Sequence, residues 1–313
     1  MSPELAVGTR ARDDVFAGNR AVGRLAFAVA AASGASRRAR VHEAGSLRVR
    51  FPNADRGNAL EAVIVNTAGG MAGGDRFAID IEVGAGAALT VTTAAAEKVY
   101  RSLGPDTSID VKLEVGAGGA LAWVPQETIL FDQMRVARTI DVELARGASL
   151  LLAEAVVFGR SAMGEAVLSG RCFDRWRIRV DGTLVFAETI RLGGAIAPRL
   201  AERAIADGGV AIASVVKIPG DEASVAAVRA SNDSFAGEVG ASAWNGIAAK
   251  LNVSQREYLK IRLSDMFRFS RPCVPDEFMF RPIKLRSPAK DHSCAASRAR
   301  RLNGRMSVQT SLT

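Results

Sequence analysis

A repeated pattern is the feature that most constrains how this chain folds. Alternating apolar residues around a glycine turn recur about every thirty residues. The copies are 81–91, 113–123, 142–152 and, more faintly, 178–186, with aligned leucines Leu89, Leu121, Leu150 and Leu184. Each copy predicts a strand, a turn and a second strand. Neither strand buries a face alone, so stacking of the copies would create the core.

The repeat favours a mostly β fold. Few stretches between residues 40 and 195 show a helical period, which favours a β-solenoid-like or stacked two-sheet body over residues 1–195 rather than a βαβ fold. Helices are predicted later, at 198–206 and 221–230, together with a flanking pair of strands at 209–216 and 238–244. We therefore predict a small α+β helical cap at 196–250, near the C-terminus and continuous with the body.

The basic charge lies at one end of the chain. Lysine and arginine number 41 against 33 acidic residues, but residues 251–313 hold 13 basic and 5 acidic residues, which leaves 28 of each in residues 1–250. A neutral body with few aromatic residues does not indicate a nucleic-acid or membrane partner. We expect residues 251–313 to be an atypical basic tail that is disordered or aberrant.

Targeting signals and cysteines are uninformative. No apolar run reaches the roughly 20 residues that a membrane helix needs. Residues 25–35 could be read as the apolar part of a secretory signal, but Asp13 and Asp14 precede them and their alternation is typical of a strand. We expect a cytoplasmic protein. Its three dispersed cysteines, Cys172, Cys273 and Cys294, are expected to be reduced thiols.

A glycine-rich loop follows the apolar run at residues 62–65. Residues 66–75 contain Gly69, Gly70, Gly73 and Gly74 and end in Asp75. The glycine spacing matches a Walker loop, but Asp75 and Arg76 stand where Lys and Ser/Thr are required, and an acid there would repel phosphate. We predict a structural turn or a protein contact, with ligand transit as an alternative.

Residues for catalysis or tight metal binding are scarce. The only histidines are His42, expected on the surface or facing a partner, and His292. The sequence has no G-x-S-x-G, no HExxH and no Cys/His cluster, so we expect neither a nucleophilic triad nor a tight zinc, nickel or calcium site. The remaining candidates are carboxylates beside glycine turns, namely Asp75, Glu97, Glu127 and Glu165.

Each of these carboxylates has a structural alternative. Glu97 could form an ion pair with Lys98 or Arg101, whereas Asp75 and Glu165 could cap or solvate their turns. Glu127 follows a break in an apolar run, where a carboxylate needs a buried partner or an exposed role. Paired carboxylates could perform acid–base chemistry, or they could pass a hard or borderline cation along a polar channel without holding it.

Several motifs together resemble one family. The chain is similar in colinear order, over about residues 15–250, to the UreD (UreH) family of urease accessory proteins. The segments that carry the resemblance are 16–25, 43–52, 66–75, 92–102, 123–132, 159–165 and 242–246. After Ala249 the sequence departs from the family pattern, which indicates a frameshifted reading or an exchanged terminus.

The resemblance implies a function as well as a fold. It implies a β-solenoid-like body and a non-enzymatic nickel-insertion chaperone that forms a complex with UreF and the GTPase UreG, docks on apo-urease and helps nickel reach the urease active site. It also implies an internal tunnel, with nickel in transit and no tightly bound cofactor. Asp75, Glu97, Glu127 and Glu165 fall within the matching motifs and are the candidate metal-transit residues. The alternative is a carboxylate-dependent hydrolase or lyase on a β-solenoid.

Overall fold

A computed structural model describes residues 18–52, 59–160, 163–230, 237–244 and 247–255. All of them belong to one compact unit. The strands in this part of the chain are β1 Val22–Ala32, β2 Ala35–Gly45, β3 Leu47–Arg50, β4 Leu60–Asn66, β5 Arg76–Val83, β6 Ala88–Thr93, β7 Glu97–Val99, β8 Thr107–Val115, β9 Ala120–Trp123, β10 Thr128–Leu130, β11 Arg135–Leu144, β12 Ser149–Phe158, β13 Ser169–Val180, β14 Thr183–Ala195, β15 Ala211–Ile218, β16 Gly237–Trp244 and β17 Ile247–Gln255. The helices are α1 Ile196–Ala201 and α2 Glu222–Ala230.

Two sheets enclose the core. Sheet A has the strand order β14-β13-β11-β8-β5-β1-β2, and sheet B has the order β16-β17-β15-β12-β9-β6-β4-β3, with β7 and β10 attached beside it. The chain runs from a strand of sheet A through a turn to a strand of sheet B and then back. We call each such circuit a pass, and the strands of each pass pair in parallel with those of the pass before. This arrangement confirms the predicted β-solenoid-like, mostly β body.

The register of the stacked strands follows the sequence repeat. In sheet A, Ile81 pairs with Leu113, Leu113 with Val142 and Val142 with Ile178. In sheet B, Leu89 pairs with Leu121 and Leu121 with Leu150. These residues are at most 3% exposed. The repeated apolar positions therefore form continuous stacks inside the core, where each side chain covers the equivalent side chain of the neighbouring pass.

Glycines make the corners between the two sheets. Gly86, Gly118 and Gly147 occupy equivalent positions and have φ values of +65°, +65° and +77°. Residues with a Cβ rarely adopt this left-handed conformation. The repeat therefore places a glycine wherever the chain must leave sheet A abruptly and enter sheet B.

The fourth copy of the repeat folds differently. Residues 178–186 form a hairpin in which β13 and β14 pair antiparallel within sheet A, with Asp181 and Gly182 at the turn. Leu184, aligned by sequence with the buried leucines of the other copies, is 49% exposed. The fourth copy has positive φ at two successive residues, Asp181 at +46° and Gly182 at +75°, and turns back on its own strand, so it ends the series of corners.

The region after residue 195 combines helices and strands, as expected. Helix α1 begins before the predicted 198–206 segment and ends at Ala201, after which residues 202–208 form turns, and α2 matches its prediction closely. Strand β15 pairs with β12 of the body, and β17 pairs with β15 and β16. The predicted boundary at residue 250 lies inside β17, and the chain after residue 255 is outside the described residues.

Short parallel pairings position the candidate residues. Met71 bridges to Val99, β7 pairs with β10, and β10 pairs with residues 156–158 at the end of β12. We call this set of pairings the short ladder. In each pass, the segment after the sheet B strand belongs to this ladder, so the ladder aligns these segments side by side. The same segments carry most of the sequence motifs.

Candidate functional site

The glycine loop packs closely against the short ladder. Gly70 has φ +150°, and a Cβ added there would lie 2.4 Å from the Tyr100 ring. The Tyr100 hydroxyl donates a hydrogen bond to the Gly69 carbonyl over 3.0 Å. A Cβ on Gly73 would lie 2.0 Å from the Ser102 hydroxyl oxygen. The glycines therefore allow close backbone approach, as a structural turn requires.

Asp75 is held by main-chain groups. It is 5% exposed, and its Oδ1 accepts a hydrogen bond from the Ala21 N–H at 2.8 Å while its Oδ2 accepts one from the Ala72 N–H at 2.7 Å. These contacts close the glycine turn and attach the start of β1 to it. Both carboxylate oxygens thus satisfy buried backbone donors, which is a structural use of the side chain.

Glu97 and Glu127 lie on neighbouring segments of the short ladder. The Glu97 N–H donates to the Glu127 carbonyl over 3.0 Å, and both residues are half-buried. The Glu97 carboxylate accepts a hydrogen bond from Asn66 Nδ2 at 3.2 Å. Burial raises the pKa of Glu97, although the Asn66 hydrogen bond and the Lys98 charge act to lower it. Asn66, which also bonds to the Gly70 carbonyl at 3.3 Å, therefore connects Glu97 to the glycine loop.

Glu165 ends a chain of side-chain contacts. Its carboxylate pairs with the Arg160 guanidinium at 2.5 Å, and Arg160 lies over the Phe131 ring, 4.3 Å from its centroid. Phe131 in turn packs edge-on against Tyr100, with ring centroids 5.1 Å apart. Glu165 thus holds the loop after β12 against the same aromatic pair that packs on the glycine loop.

The structure brings the predicted residues to one region but not to one centre. Glu97 and Glu127 are neighbours, whereas Asp75 and Glu165 each have their own partners. No group of three or more His, Cys, Asp or Glu side chains in the described ranges is arranged to hold a metal ion. His42 is exposed on the edge strand β2.

A second group of charged residues lies between the two sheets. Arg138 of β11 forms two hydrogen bonds to Asp174 of β13, from Nε to Oδ1 at 3.1 Å and from Nη2 to Oδ2 at 2.5 Å. Its Nη1 donates to Glu154 Oε2 of β12 at 2.5 Å. The three side chains are 4–9% exposed. We call Arg138, Glu154 and Asp174 the buried cluster.

Two indoles complete the buried cluster. Trp123 Nε1 donates to Glu154 Oε1 over 2.7 Å, and Trp176 Nε1 donates to Asp174 Oδ1 over 3.1 Å. Every carboxylate oxygen of the cluster therefore has a donor, as buried charge requires. Trp123 belongs to sheet B and Trp176 to sheet A, so the network joins the two sheets.

Burial shifts the pKa values of Glu154 and Cys172, and neighbouring charges shift that of Arg138. Burial raises the pKa of Glu154, although Arg138 and Trp123 act to lower it. Burial also raises the pKa of the nearby Cys172 thiol to about 12, so this cysteine stays protonated at neutral pH. For Arg138, burial acts to lower the pKa, but Asp174 and Glu154 more than compensate and raise it, so the guanidinium keeps its charge.

A small cavity adjoins the buried cluster. Its volume is about 20 Å³, enough for one water molecule. Besides the cluster residues, the lining includes the polar groups of Cys172 and Ser214 and the apolar side chains Val156, Phe158, Ile190 and Ile212. The cluster therefore borders open space inside the protein.

The buried cluster was not predicted from the sequence, although the sequence carries a signal for it. In β11, residues 136, 140, 142 and 144 are inward-facing and apolar, and Arg138 has the same phase. Asp174 has the phase of the buried residues Cys172, Trp176 and Ile178 in β13. A charged residue at an inward position of an alternating strand implies a buried partner.

Neither described helix is long and apolar enough to cross a membrane.

Comparison with known proteins identifies one family. A sequence model described as UreD urease accessory protein matches residues 21–278, which extends past the end near residue 250 that the motifs indicated. A protein of Rhodopseudomonas palustris strain HaA2 named urease accessory protein UreD is 61% identical over 234 residues, which cover 75% of this chain and 84% of that protein. A protein of the same name from Bradyrhizobium diazoefficiens is 54% identical over 248 residues, covering 79% and 88%.

Proposed function

Since this chain belongs to the UreD family of urease accessory proteins, we propose that it is a nickel-insertion chaperone for urease. In this proposal it forms a non-enzymatic scaffold with UreF and the GTPase UreG in the cytoplasm. The complex docks on apo-urease and helps nickel reach the active site. Nickel is the cargo, and the chain itself holds no tightly bound cofactor.

The observation that carries the proposal is the buried cluster. Two carboxylates and one guanidinium lie between sheets whose other inward side chains are largely apolar. Moving charges into such an interior is costly, and well-packed apolar residues would serve stability as well or better. A cation that enters an apolar interior loses its water ligands, which is costly. Two acids beside a cavity offset this cost, so the cluster is suited to cation passage.

The donor set suits weak, transient binding of nickel. Imidazole and thiolate ligands give first-row divalent ions high affinity, whereas carboxylates hold them less tightly. The Cys172 thiol remains protonated because burial raises its pKa to about 12, and the buried cluster contains no histidine. Oxygen ligands therefore predominate, as a route for a mobile ion requires.

The backbone register links two half-buried acids to the interior. Glu97 and Glu127 are neighbours through the short ladder, and β10, which follows Glu127, pairs with β12 beyond Glu154. Trp123, four residues before Glu127, donates to Glu154. We infer that Glu97 and Glu127 lie at the outer end of a route that leads to Glu154. Asp75 and Glu165 support this region through their loop contacts.

The alternative enzyme has less support from the geometry. Acid–base hydrolysis needs two carboxylates that can exchange protons with a bound substrate. Asp75 is bonded to two backbone N–H groups, and Glu165 is paired with Arg160 at 2.5 Å. These contacts occupy both carboxylate oxygens of Asp75 and Oε2 of Glu165, so neither side chain is placed for proton transfer with a substrate.

Complementation tests the proposed function. The chain is expressed in a strain that lacks its own UreD, together with variants Glu154→Gln and Glu143→Gln. Glu143 is a matched control because it is an exposed carboxylate on the outer face of β11. We expect the wild-type chain and Glu143→Gln to restore urease activity and Glu154→Gln to restore little, with all three retaining UreF and UreG in a pull-down.

Two outcomes would contradict the proposal. Failure of the wild-type chain to restore urease activity while the partners are retained would exclude the chaperone role. Full activity with Glu154→Gln would exclude a nickel route through the buried cluster.

A further inference from the structure

The charges of the buried cluster do not balance. Two carboxylates and one guanidinium give a formal charge of −1 when both acids are ionised. Burial disfavours this ionised state of Glu154, so a second cation beside the carboxylate would stabilise it, and a buried site of this charge attracts such a cation. A divalent cation would change the total to +1, which is also unfavourable inside a protein. The cluster is therefore built to attract a divalent cation and to hold it weakly.

Arg138 occupies the carboxylate positions that an arriving cation would need. It uses Nε and Nη2 on Asp174 but only Nη1 on Glu154, so its attachment to Glu154 is the weaker one. Like charges repel strongly at such short distances in an interior with little water. A divalent ion therefore cannot bind Glu154 until the guanidinium has moved away from that carboxylate.

The structure leaves room for such a movement. The cavity of about 20 Å³ lies beside all three charged side chains and is partly lined by Ser214. The planar guanidinium can keep its two bonds to Asp174 while it releases Glu154. Asp174 would then anchor Arg138, and Glu154 would become the open ligand.

We propose that Arg138 is a gate for divalent cations: its guanidinium leaves Glu154 when the ion arrives, stays anchored on Asp174, and by its charge expels the ion afterwards. This inference rests on the proposed nickel route. It assigns Arg138 the role of a positioning residue. Two carboxylates alone would retain a metal ion, whereas with Arg138 beside them they release it.

Tryptophan fluorescence provides a direct readout. The chain has three tryptophans, and Trp123 and Trp176 donate hydrogen bonds to the two carboxylates of the cluster. Trp244 is replaced by phenylalanine in all samples to remove the third signal. Quenching by Ni²⁺ added to the full-length chain then reports an ion at the cluster, independently of urease activity.

Two variants test the gate separately. Arg138→Gln removes the repelling charge, so we expect Ni²⁺ to bind at least about tenfold more tightly and to be released more slowly. Arg138→Lys keeps the charge but lacks the planar fork that holds Glu154, so we expect quenching at least about threefold faster with little change in affinity. The lysine variant also remains informative if Arg138→Gln does not fold.

The outcomes separate this inference from the proposed function. Unchanged nickel affinity in folded Arg138→Gln, or an unchanged quenching rate in Arg138→Lys, would overturn the gate. If that happens while Glu154→Gln still fails to activate urease, the nickel route stands without a gate. If Ni²⁺ quenches none of the proteins and Glu154→Gln activates urease fully, both the route and the gate are wrong.

Discussion

At the scale of single residues, the carboxylates of this region differ in what holds them. Asp75 satisfies two backbone donors, Glu165 pairs with Arg160, and Glu97 has a hydrogen bond from Asn66 within a half-buried setting. Burial raises the pKa of Glu97. Acidic residues in similar sequence surroundings therefore have different physical roles.

Replacement of Glu97 by glutamine is expected to stabilise the protein near neutral pH. The raised pKa means that the folded protein disfavours the charged form of Glu97. The contribution of Glu97 to the free energy of unfolding therefore falls as pH rises through its folded-state pKa. Glutamine can still accept the Asn66 hydrogen bond. Urea unfolding should show the stability advantage of Glu97→Gln at pH 8 and its decrease towards pH 4.5. An advantage that grows as pH falls would contradict this sign.

Glu127→Gln tests whether this charge contributes to nickel passage. The amide preserves shape and hydrogen-bonding capacity, so we expect a normal fold and normal partner binding with reduced urease activation. If Glu127 instead pairs with a buried base, the substitution costs about 3–5 kcal/mol, and solubility and partner binding are lost together. A pull-down of the partners and a urease assay on the same lysate distinguish these results. Normal assembly with normal activity would remove Glu127 from the route.

At the scale of structural elements, the corner between sheets depends on two different properties of glycine. Gly118 has φ +65° and open space where a Cβ would be, whereas a Cβ on Gly116 would lie 2.7 Å from the Ala85 backbone nitrogen. The first position needs an unusual backbone conformation. Gly116, in contrast, must have no side chain, so that neighbouring passes can stack.

Alanine at these two positions should therefore have unequal effects. We expect Gly118→Ala to reduce the free energy of unfolding by about 1–2 kcal/mol, the cost of a left-handed residue with a Cβ. Gly116→Ala should cost more, because the backbone of the adjacent pass must move. Urea denaturation of both variants measures the difference. A neutral Gly118→Ala, or a smaller effect at Gly116, would show that the corners tolerate side chains.

At the scale of the whole described unit, the stacked passes share one core. Their strands differ in the number of hydrogen-bonded neighbouring strands. Strands β8, β9 and β11 have hydrogen-bonded neighbours on both sides, whereas β2, β3, β14 and β16 lie at sheet edges. Opening of an edge strand breaks fewer contacts than opening of a central strand.

Amide hydrogen exchange should follow this arrangement. We expect the slowest exchange in β8, β9 and β11 and faster exchange in β2 and β3, because central amides become accessible only when several passes open. Mass spectrometry of peptic fragments after timed exchange measures this gradient. Equal protection throughout would indicate that the unit opens as a single block, and slower exchange at the edges would contradict the predicted order.

Much of the fold could be predicted because its determinants are local. Alternation within each strand and glycine at each turn identified the stacked passes, and a helical spacing of apolar residues located α2. The fourth copy was misleading because a strand–turn–strand pattern is the same for a corner between sheets and for a hairpin within one sheet. Leu184 shows the consequence, since its outward position depends on which strand β14 pairs with.

The sequence alone determined the β class, the glycine turns and the family of this protein, because alternation, glycine spacing and motif order are properties of the chain itself. Only the tertiary structure decided which charges meet. Arg138 is separated by 16 residues from Glu154 and by 36 from Asp174, and stacking of successive passes brings the three together between the sheets. The cost of burying a charge depends on its partner, and long-range strand pairing selects that partner.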